Sequence, residues 1–217
     1  RLLPKKYTRV IVPDNPPGPA ALAGKLSRPL LMSSHEYRYY TGILATARRL
    51  AVPEDLDYLC IISGPEPQRT IFERIVLPQL HELGGSKVVL LGSPAGTSST
   101  APDPDTTVVS YVDTEEKIAL LNRARFIVCR SGYTTMMELA EVQKRRALFV
   151  PTPGQTEQEY LSAYYERQGW FFSREQDRLS LARDVDAAVG YGGFPEMPTT
   201  QENVQRLYEE VLAGYVE

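Results

Sequence analysis

The chain is poor in the residues that most often announce chemistry: its 217 residues include two cysteines, two histidines and one tryptophan. Two cysteines cannot build the disulfide framework of a small secreted domain, and their spacing with histidine matches no structural zinc site. Cys60 and Cys129 both sit inside apolar runs, Tyr58-Leu59-Cys60-Ile61-Ile62 and Phe126-Ile127-Val128-Cys129, where a small buried thiol is the expected reading. His81 falls in a helical stretch before Gly84, and His35 has no acidic partner at an informative spacing, so neither reads as a general base. No apolar run approaches the roughly 20 residues that span a bilayer, which suggests a soluble chain in a reducing, cytoplasmic setting. The basic excess of a protein that grips nucleic-acid phosphates is also missing, since the formal net charge is -3 and the pI about 5.6. The opening Arg1-Leu2-Leu3-Pro4 has no initiator methionine and no signal-type segment, which suggests a piece of a longer polypeptide.

What is present is an ordinary globular composition, 42% hydrophobic and 24% charged, over a length that accommodates one well-packed domain plus an arm. Arg9 to Asp14 is a β-branched run stopped by proline, and Asn15-Pro16-Pro17-Gly18-Pro19 is irregular. From Ala20 to Leu50 no period is sustained, and the surroundings of Gly42 suggest a short extended piece inside a connector. From Asp57 the pattern turns regular. Strands are expected at Tyr58 to Ile62, Lys87 to Gly92, Val108 to Val112, Phe126 to Cys129, Ala147 to Val150 and Trp170 to Phe172. Between them, helices are expected around Ile71 to Leu80, Thr114 to Asn122, Thr134 to Val142 and Thr156 to Gln168, with Ser93 to Asp105 a surface loop. Near-continuous apolar strands alternating with amphipathic helices imply an α/β fold: a doubly wound, Rossmann-like parallel sheet covered on both faces. Arg178 to Val189 reads as a further helix, and Thr200-Gln201-Glu202-Asn203 opens a last one. The expected organisation is residues 1–50 as the remnant of another lobe with its connector, 51–190 as the Rossmann-like domain, and 191–217 as a carboxy-terminal helical tail.

In an open parallel sheet, ligands bind outside the carboxyl ends of the strands, where strand order reverses. Three loops qualify. Ser63-Gly64-Pro65-Glu66-Pro67-Gln68-Arg69 leads a strand into a helix whose first N–H groups suit a phosphate, although a tight turn explains Gly64 as well. Arg130-Ser131-Gly132-Tyr133-Thr134 repeats that geometry, with Ser131 able to cap the helix and Gly132 allowing close approach. Glu138, farther along the same helix, is either a solvated glutamate or an acceptor for two vicinal hydroxyls such as a ribose offers. The third loop, Pro151 to Glu159, is stiffened by two prolines, and Thr156 with Glu159 fits a capping pair. Its Gln155, Glu157, Gln158 and Glu159 also crowd hydrogen-bonding groups suited to a polyhydroxylated sugar.

The run Cys129-Arg130-Ser131-Gly132 through Glu138, then Ala147 to Pro151, then Gln158 and Glu159 before Tyr160, resembles the carboxy-terminal domain of family 28 glycosyltransferases. The resemblance covers roughly Asp57 to Phe172 and implies the donor-binding lobe of a two-lobed (GT-B) enzyme that inverts the sugar's configuration. By that resemblance Ser131 and Gly132 approach the nucleotide diphosphate, Glu138 binds the ribose, and Gln158 and Glu159 meet the donor sugar. The candidate donor-binding set is Gly64, Ser131, Gly132, Tyr133, Thr134, Glu138, Gln155, Gln158 and Glu159, with no catalytic base assigned. The donor implied is a UDP-sugar, UDP-N-acetylglucosamine among them, with no metal and no further cofactor. The implied partners are a missing amino-terminal lobe or partner chain and a lipid-linked or membrane-associated acceptor, with no nucleic acid, and the complete enzyme is expected to be peripheral to a membrane. A UDP-sugar hydrolase or epimerase, or a donor-binding subunit without activity of its own, remain the alternatives. The sequence departs from the family in two places: the loop at Ser63 to Pro67 is poorer in glycine, and position 159 is Glu where relatives often carry Gln.

Overall fold

The computed structural model describes residues 9–28, 38–93 and 99–215, so His35 and residues 94–98 of the loop after Ser93 lie outside the described residues. Six strands, β3 (Leu56–Ile61), β4 (Lys87–Leu90), β5 (Thr106–Val109), β6 (Ala124–Cys129), β7 (Ala147–Phe149) and β8 (Phe172–Ser173), form one parallel sheet in the order β5-β4-β3-β6-β7-β8. Every neighbouring pair is parallel, as the apolar runs and intervening helices predict. The order reverses between β3 and β6: the chain builds outward from β3 through β4 to β5, then returns to the other side of β3. That reversal opens a crevice at the carboxyl ends of β3 and β6.

Alternation along the strands divides the core in two. Leu59, Ile61, Ile127, Cys129 and Phe149 face α2 (Thr114–Arg123), α3 (Tyr133–Glu141) and α4 (Thr156–Arg167), where Ile118, Leu121, Met136, Leu139, Leu161 and Tyr165 are buried. Cys60, Ile62, Val89, Val128, Leu148 and Val150 face the opposite way, onto α1 (Gln68–Val76) and α5 (Leu181–Ala188). The result is three layers, helix on sheet on helix.

Local chemistry moves several boundaries. α1 ends at Val76 and continues as a 3-10 turn, Leu77–Glu82, because Pro78 has no N–H to extend the α-helical ladder. Its buried face is Phe72 and Val76, continued by Leu80, whereas Ile71 is exposed. β5 starts two residues earlier than expected, with Thr106 and Thr107 paired to Lys87 and Val88 and Tyr111 left exposed beyond its end. The last helix, α6 (Thr200–Leu207), is capped by Thr199 rather than Thr200: the Thr199 hydroxyl accepts from the Glu202 N–H, and the Glu202 carboxylate accepts from the Thr199 N–H.

The described residues before 51 contribute more order than the sequence pattern predicts. β1 (Val10–Val12) and β2 (Arg38–Tyr40) pair in parallel as a separate two-stranded sheet. Leu22, Ile43 and Ala47 are buried in the same core as α2, α3 and α4. Three tyrosines of α4 fasten the intervening segment: Tyr160 accepts from the Lys25 N–H, while Tyr164 and Tyr165 donate to the carbonyls of Ala21 and Leu22. The tail closes on the same region, with Asn203 donating to the Ile43 carbonyl and Arg206 to that of Thr41, at 3.0 Å each.

Candidate functional site

The three loops selected from the sequence meet at the carboxyl edge of β3, β6 and β7, and a buried arginine joins them. Arg130, 2% exposed, follows the last residue of β6. Its Nη1 donates to the carbonyls of Val150 and Pro151 at 3.0 and 3.1 Å, its Nη2 to the Gln68 carbonyl at 3.1 Å and to Gln176 Oε1 at 2.5 Å, and its Nε to the Ser63 carbonyl at 3.4 Å. The guanidinium carbon lies 4.0 Å from the centre of the Phe72 ring. No carboxylate is among these contacts, and burial pulls the guanidinium's pKa down to about 10. The side chain therefore brings a positive charge under the loops while fixing their carbonyls. Arg130 was visible in the sequence as part of the run before Ser131, but its role depends on four carbonyls supplied by two separate loops.

The remaining residues divide between loop construction and exposed groups. Gly64 has φ +119, in the region that favours glycine, and a side chain there would point toward the Thr152 hydroxyl 3.6 Å away. That Thr152 Oγ1 is buried and has no hydrogen-bond partner among the described residues. Ser131 does not cap α3. The cap is Gly132, which supplies no side-chain acceptor, leaving the first N–H groups of the helix to other partners. Ser131 is fully buried, donating to the Gln158 carbonyl at 2.9 Å and accepting from the Ser162 hydroxyl at 2.9 Å, so it ties the α3 turn to α4. Tyr133 donates its hydroxyl to the Pro13 carbonyl and is pushed up in pKa by burial, whereas Thr134 is exposed.

In the third loop, Thr156 is the first helical residue rather than a cap, and the loop is held by its own side chains. Gln158 Oε1 accepts from the Thr152 N–H at 2.9 Å, Gln158 Nε2 donates to Gln155 Oε1 at 2.5 Å, and Glu159 Oε1 accepts from the Gly154 N–H at 2.8 Å. Glu159 is itself exposed and borders a cavity of about 640 Å³ with Pro151, Pro153, Glu175, Gln176 and Asp177.

Glu138 is 5% exposed, so it is not a solvated helix residue. Its two oxygens accept from Lys117 Nζ at 2.8 and 2.7 Å. Lys117 in turn lines a cavity of about 180 Å³ with Ile61, Ile62, Ser63, Leu90, Gly92, Tyr111 and Val112, at the ends of β3, β4 and β5. Lys117 carried no signal in the sequence, because it lies on α2 and its partner on α3. Gly92 has φ +61, and a Cβ there would stand 2.8 Å from the Ile62 carbonyl, so the cavity wall depends on a bare backbone. Among the described residues, no cluster of His, Cys, Asp and Glu is arranged to hold a metal, and no helix is long and apolar enough to cross a membrane.

No protein-family model and no characterised protein sequence matches this chain. Its structure is similar to the glycotransferase of kitacinnamycin (13% identity, TM-score 0.62), covering 95% of this chain and 51% of that one. It is also similar to CalG4, the calicheamicin glycosyltransferase (17% identity, TM-score 0.55, 95% of this chain and 49% of that one). A further match is the glycosyltransferase SnogD from Streptomyces nogalater (14% identity, TM-score 0.55, 91% of this chain and 50% of that one). The fold is the Rossmann-like fold of GT-B glycosyltransferases. Identities this low speak for the fold alone, and the chain spans about half the length of each of these three solved structures.

Proposed function

We propose that this chain is the nucleotide-sugar-binding lobe of an inverting, family 28-type glycosyltransferase. The observation that carries the reading is the crevice at the point where strand order reverses, with the bare start of α3, Gly64 and the Lys117–Glu138 pair around it. The first N–H groups of α3 and the charge of Arg130 favour a diphosphate, while Glu138 offers acceptors for ribose hydroxyls. The cavity beside Lys117, with walls of Ile61, Ile62 and Val112, suits the nucleoside end of the donor. The exposed Glu159 and its neighbouring cavity face the side where a donor sugar would extend.

In the reaction proposed, an acceptor hydroxyl attacks the anomeric carbon, its proton passes to a base outside this chain, and the bond from that carbon to the diphosphate oxygen breaks. The lobe described here stabilises the negative charge that accumulates on the departing diphosphate. The donor proposed is a UDP-sugar, and the complete reaction requires a second lobe or a partner chain carrying the acceptor.

Isothermal titration of the chain with UDP, UDP-N-acetylglucosamine and GDP-mannose tests the reading. UDP is expected to bind with a Kd between about 1 μM and 1 mM, the range in which enzymes hold substrates. The Glu138→Gln variant is expected to weaken it by about tenfold, the loss of roughly one charge-assisted hydrogen bond. Absence of binding by all three nucleotides would sink the proposal.

A further inference from the structure

We propose that Lys117 is a specificity-determining residue of this site: with Glu138 it forms a donor–acceptor pair that distinguishes ribose from 2′-deoxyribose. The inference rests on the nucleotide-binding reading above. Glu138 does not face the crevice as a lone carboxylate, because each of its oxygens already accepts from the Lys117 ammonium at 2.8 or 2.7 Å. An ammonium carries three N–H donors, and the two oxygens of Glu138 take up at most two of them. The third has no partner among the described residues. The Lys117 side chain is 32% exposed, against 6% for that of Glu138, and it lines the cavity that the ends of β3, β4 and β5 enclose. A ligand entering this cavity therefore meets Lys117 first and Glu138 behind it.

Such a pair recognises a group that donates and accepts at once, and a hydroxyl does both. Two adjacent hydroxyls on one ring edge can donate to the free lone pairs of the carboxylate while accepting the third ammonium proton. A 2′-deoxyribose presents only one hydroxyl there and satisfies only part of the pair, leaving a desolvated charged group short of a partner. Of the remaining walls, Ile61, Ile62, Leu90 and Val112 are aliphatic, and only Ser63 and Tyr111 add polar side chains, neither of them charged. Pairing with Lys117 also cancels the carboxylate's charge, so that the ribose-reading group does not repel an adjacent diphosphate.

The test is titration of the full chain with UDP and 2′-deoxy-UDP, two ligands that differ by one hydroxyl, in the native protein and in the Lys117→Met and Lys117→Arg variants. The native chain is expected to prefer UDP by about tenfold or more, the weight of one hydrogen bond to a charged group. Lys117→Met is expected to bring that ratio within about twofold, and Lys117→Arg, which keeps a cation and spare donors, to preserve most of it. A Lys117→Met protein that loses affinity for both ligands equally, with the ratio unchanged, would show that Lys117 is only a counterion for Glu138 and would overturn the inference. Native protein that binds neither nucleotide would instead overturn the site assignment itself. If Lys117→Met does not fold, as judged by circular dichroism, Lys117→Met combined with Glu138→Gln removes both charges together and is compared with Glu138→Gln alone. A preference for UDP that survives in Glu138→Gln and is lost in the double variant supports Lys117, and equal ratios in the two overturn it.

Discussion

At the scale of single residues, Arg130 carries the largest share of the site's construction. Its guanidinium holds the carbonyls of Ser63, Gln68, Val150 and Pro151, together with the Gln176 side chain, and has no anionic partner among the described residues. An uncompensated buried charge is costly, so it persists because these hydrogen bonds are made together. Replacing it by methionine keeps much of the volume but leaves buried carbonyls unpaired. Arg130→Met is expected to lower unfolding stability by about 2–4 kcal/mol, read from urea denaturation. A loss below about 1 kcal/mol would mean that water replaces the guanidinium and that the loops do not depend on it. Glu138 illustrates the limit of reading residues one at a time. Its position on a helix leading from a strand was legible, but whether it faced solvent, ligand or another side chain was decided by Lys117, 21 residues earlier in the chain.

At the scale of elements, the amino ends of β3 and β4 are joined by a charged clasp at the pole opposite the crevice. Asp57 accepts from the Ser86 N–H and hydroxyl at 2.9 and 3.0 Å and pairs with Arg125 of β6 at 2.6 Å. The Ser86 N–H first, and then Arg125 and the Ser86 hydroxyl, hold the Asp57 carboxyl below the ordinary carboxylate range. A carboxylate whose pKa is depressed on folding contributes stability above its unfolded value, and that contribution disappears as pH falls through the folded value. Asp57→Asn retains an acceptor for Ser86 but not the charge. The variant is therefore expected to melt below the native protein at pH 7 and to converge with it toward pH 3, as followed by thermal unfolding. A gap that stays constant across that range would assign the effect to geometry rather than ionisation. Helix and strand positions were largely legible because period and composition are local properties. The boundaries that moved did so for reasons of contact: Pro78 converted the end of α1 into a 3-10 turn, and pairing with β4 drew Thr106 and Thr107 into β5.

At the scale of the whole molecule, Leu22, Ile43 and Ala47, among the described residues before 51, are built into the core of the sheet domain. Leu22 and Ile43 are 0% and 1% exposed, and the hydroxyls of Tyr164 and Tyr165 depend on carbonyls of that segment. Burying an aliphatic side chain of this size contributes about 1.5–3 kcal/mol, against a typical total stability of about 5–15 kcal/mol. A chain beginning at residue 51 is accordingly expected to lose at least about 4 kcal/mol and to show a weakened near-ultraviolet circular dichroism spectrum. Retention of the native melting temperature by that shortened chain would identify the segment as an appended arm and the sheet domain as self-sufficient.

The sequence by itself determined the class of the fold and the location of its polar loops, because apolar strands, helical periods and glycine or proline turns are written in neighbouring residues. It also placed Gly64, Ser131, Gly132, Glu138, Gln155, Gln158 and Glu159 at strand-to-helix junctions or just inside the helices that follow. Only the tertiary structure decided where strand order reverses, and hence which of those loops share a crevice. It alone turned Ser131, Gln155 and Gln158 inward to hold their loops, gathered three segments onto Arg130, and set Lys117 against Glu138. The physical reason is range: turn and helix propensities act over a few residues, whereas a buried charge finds its partners wherever the packed layers bring them.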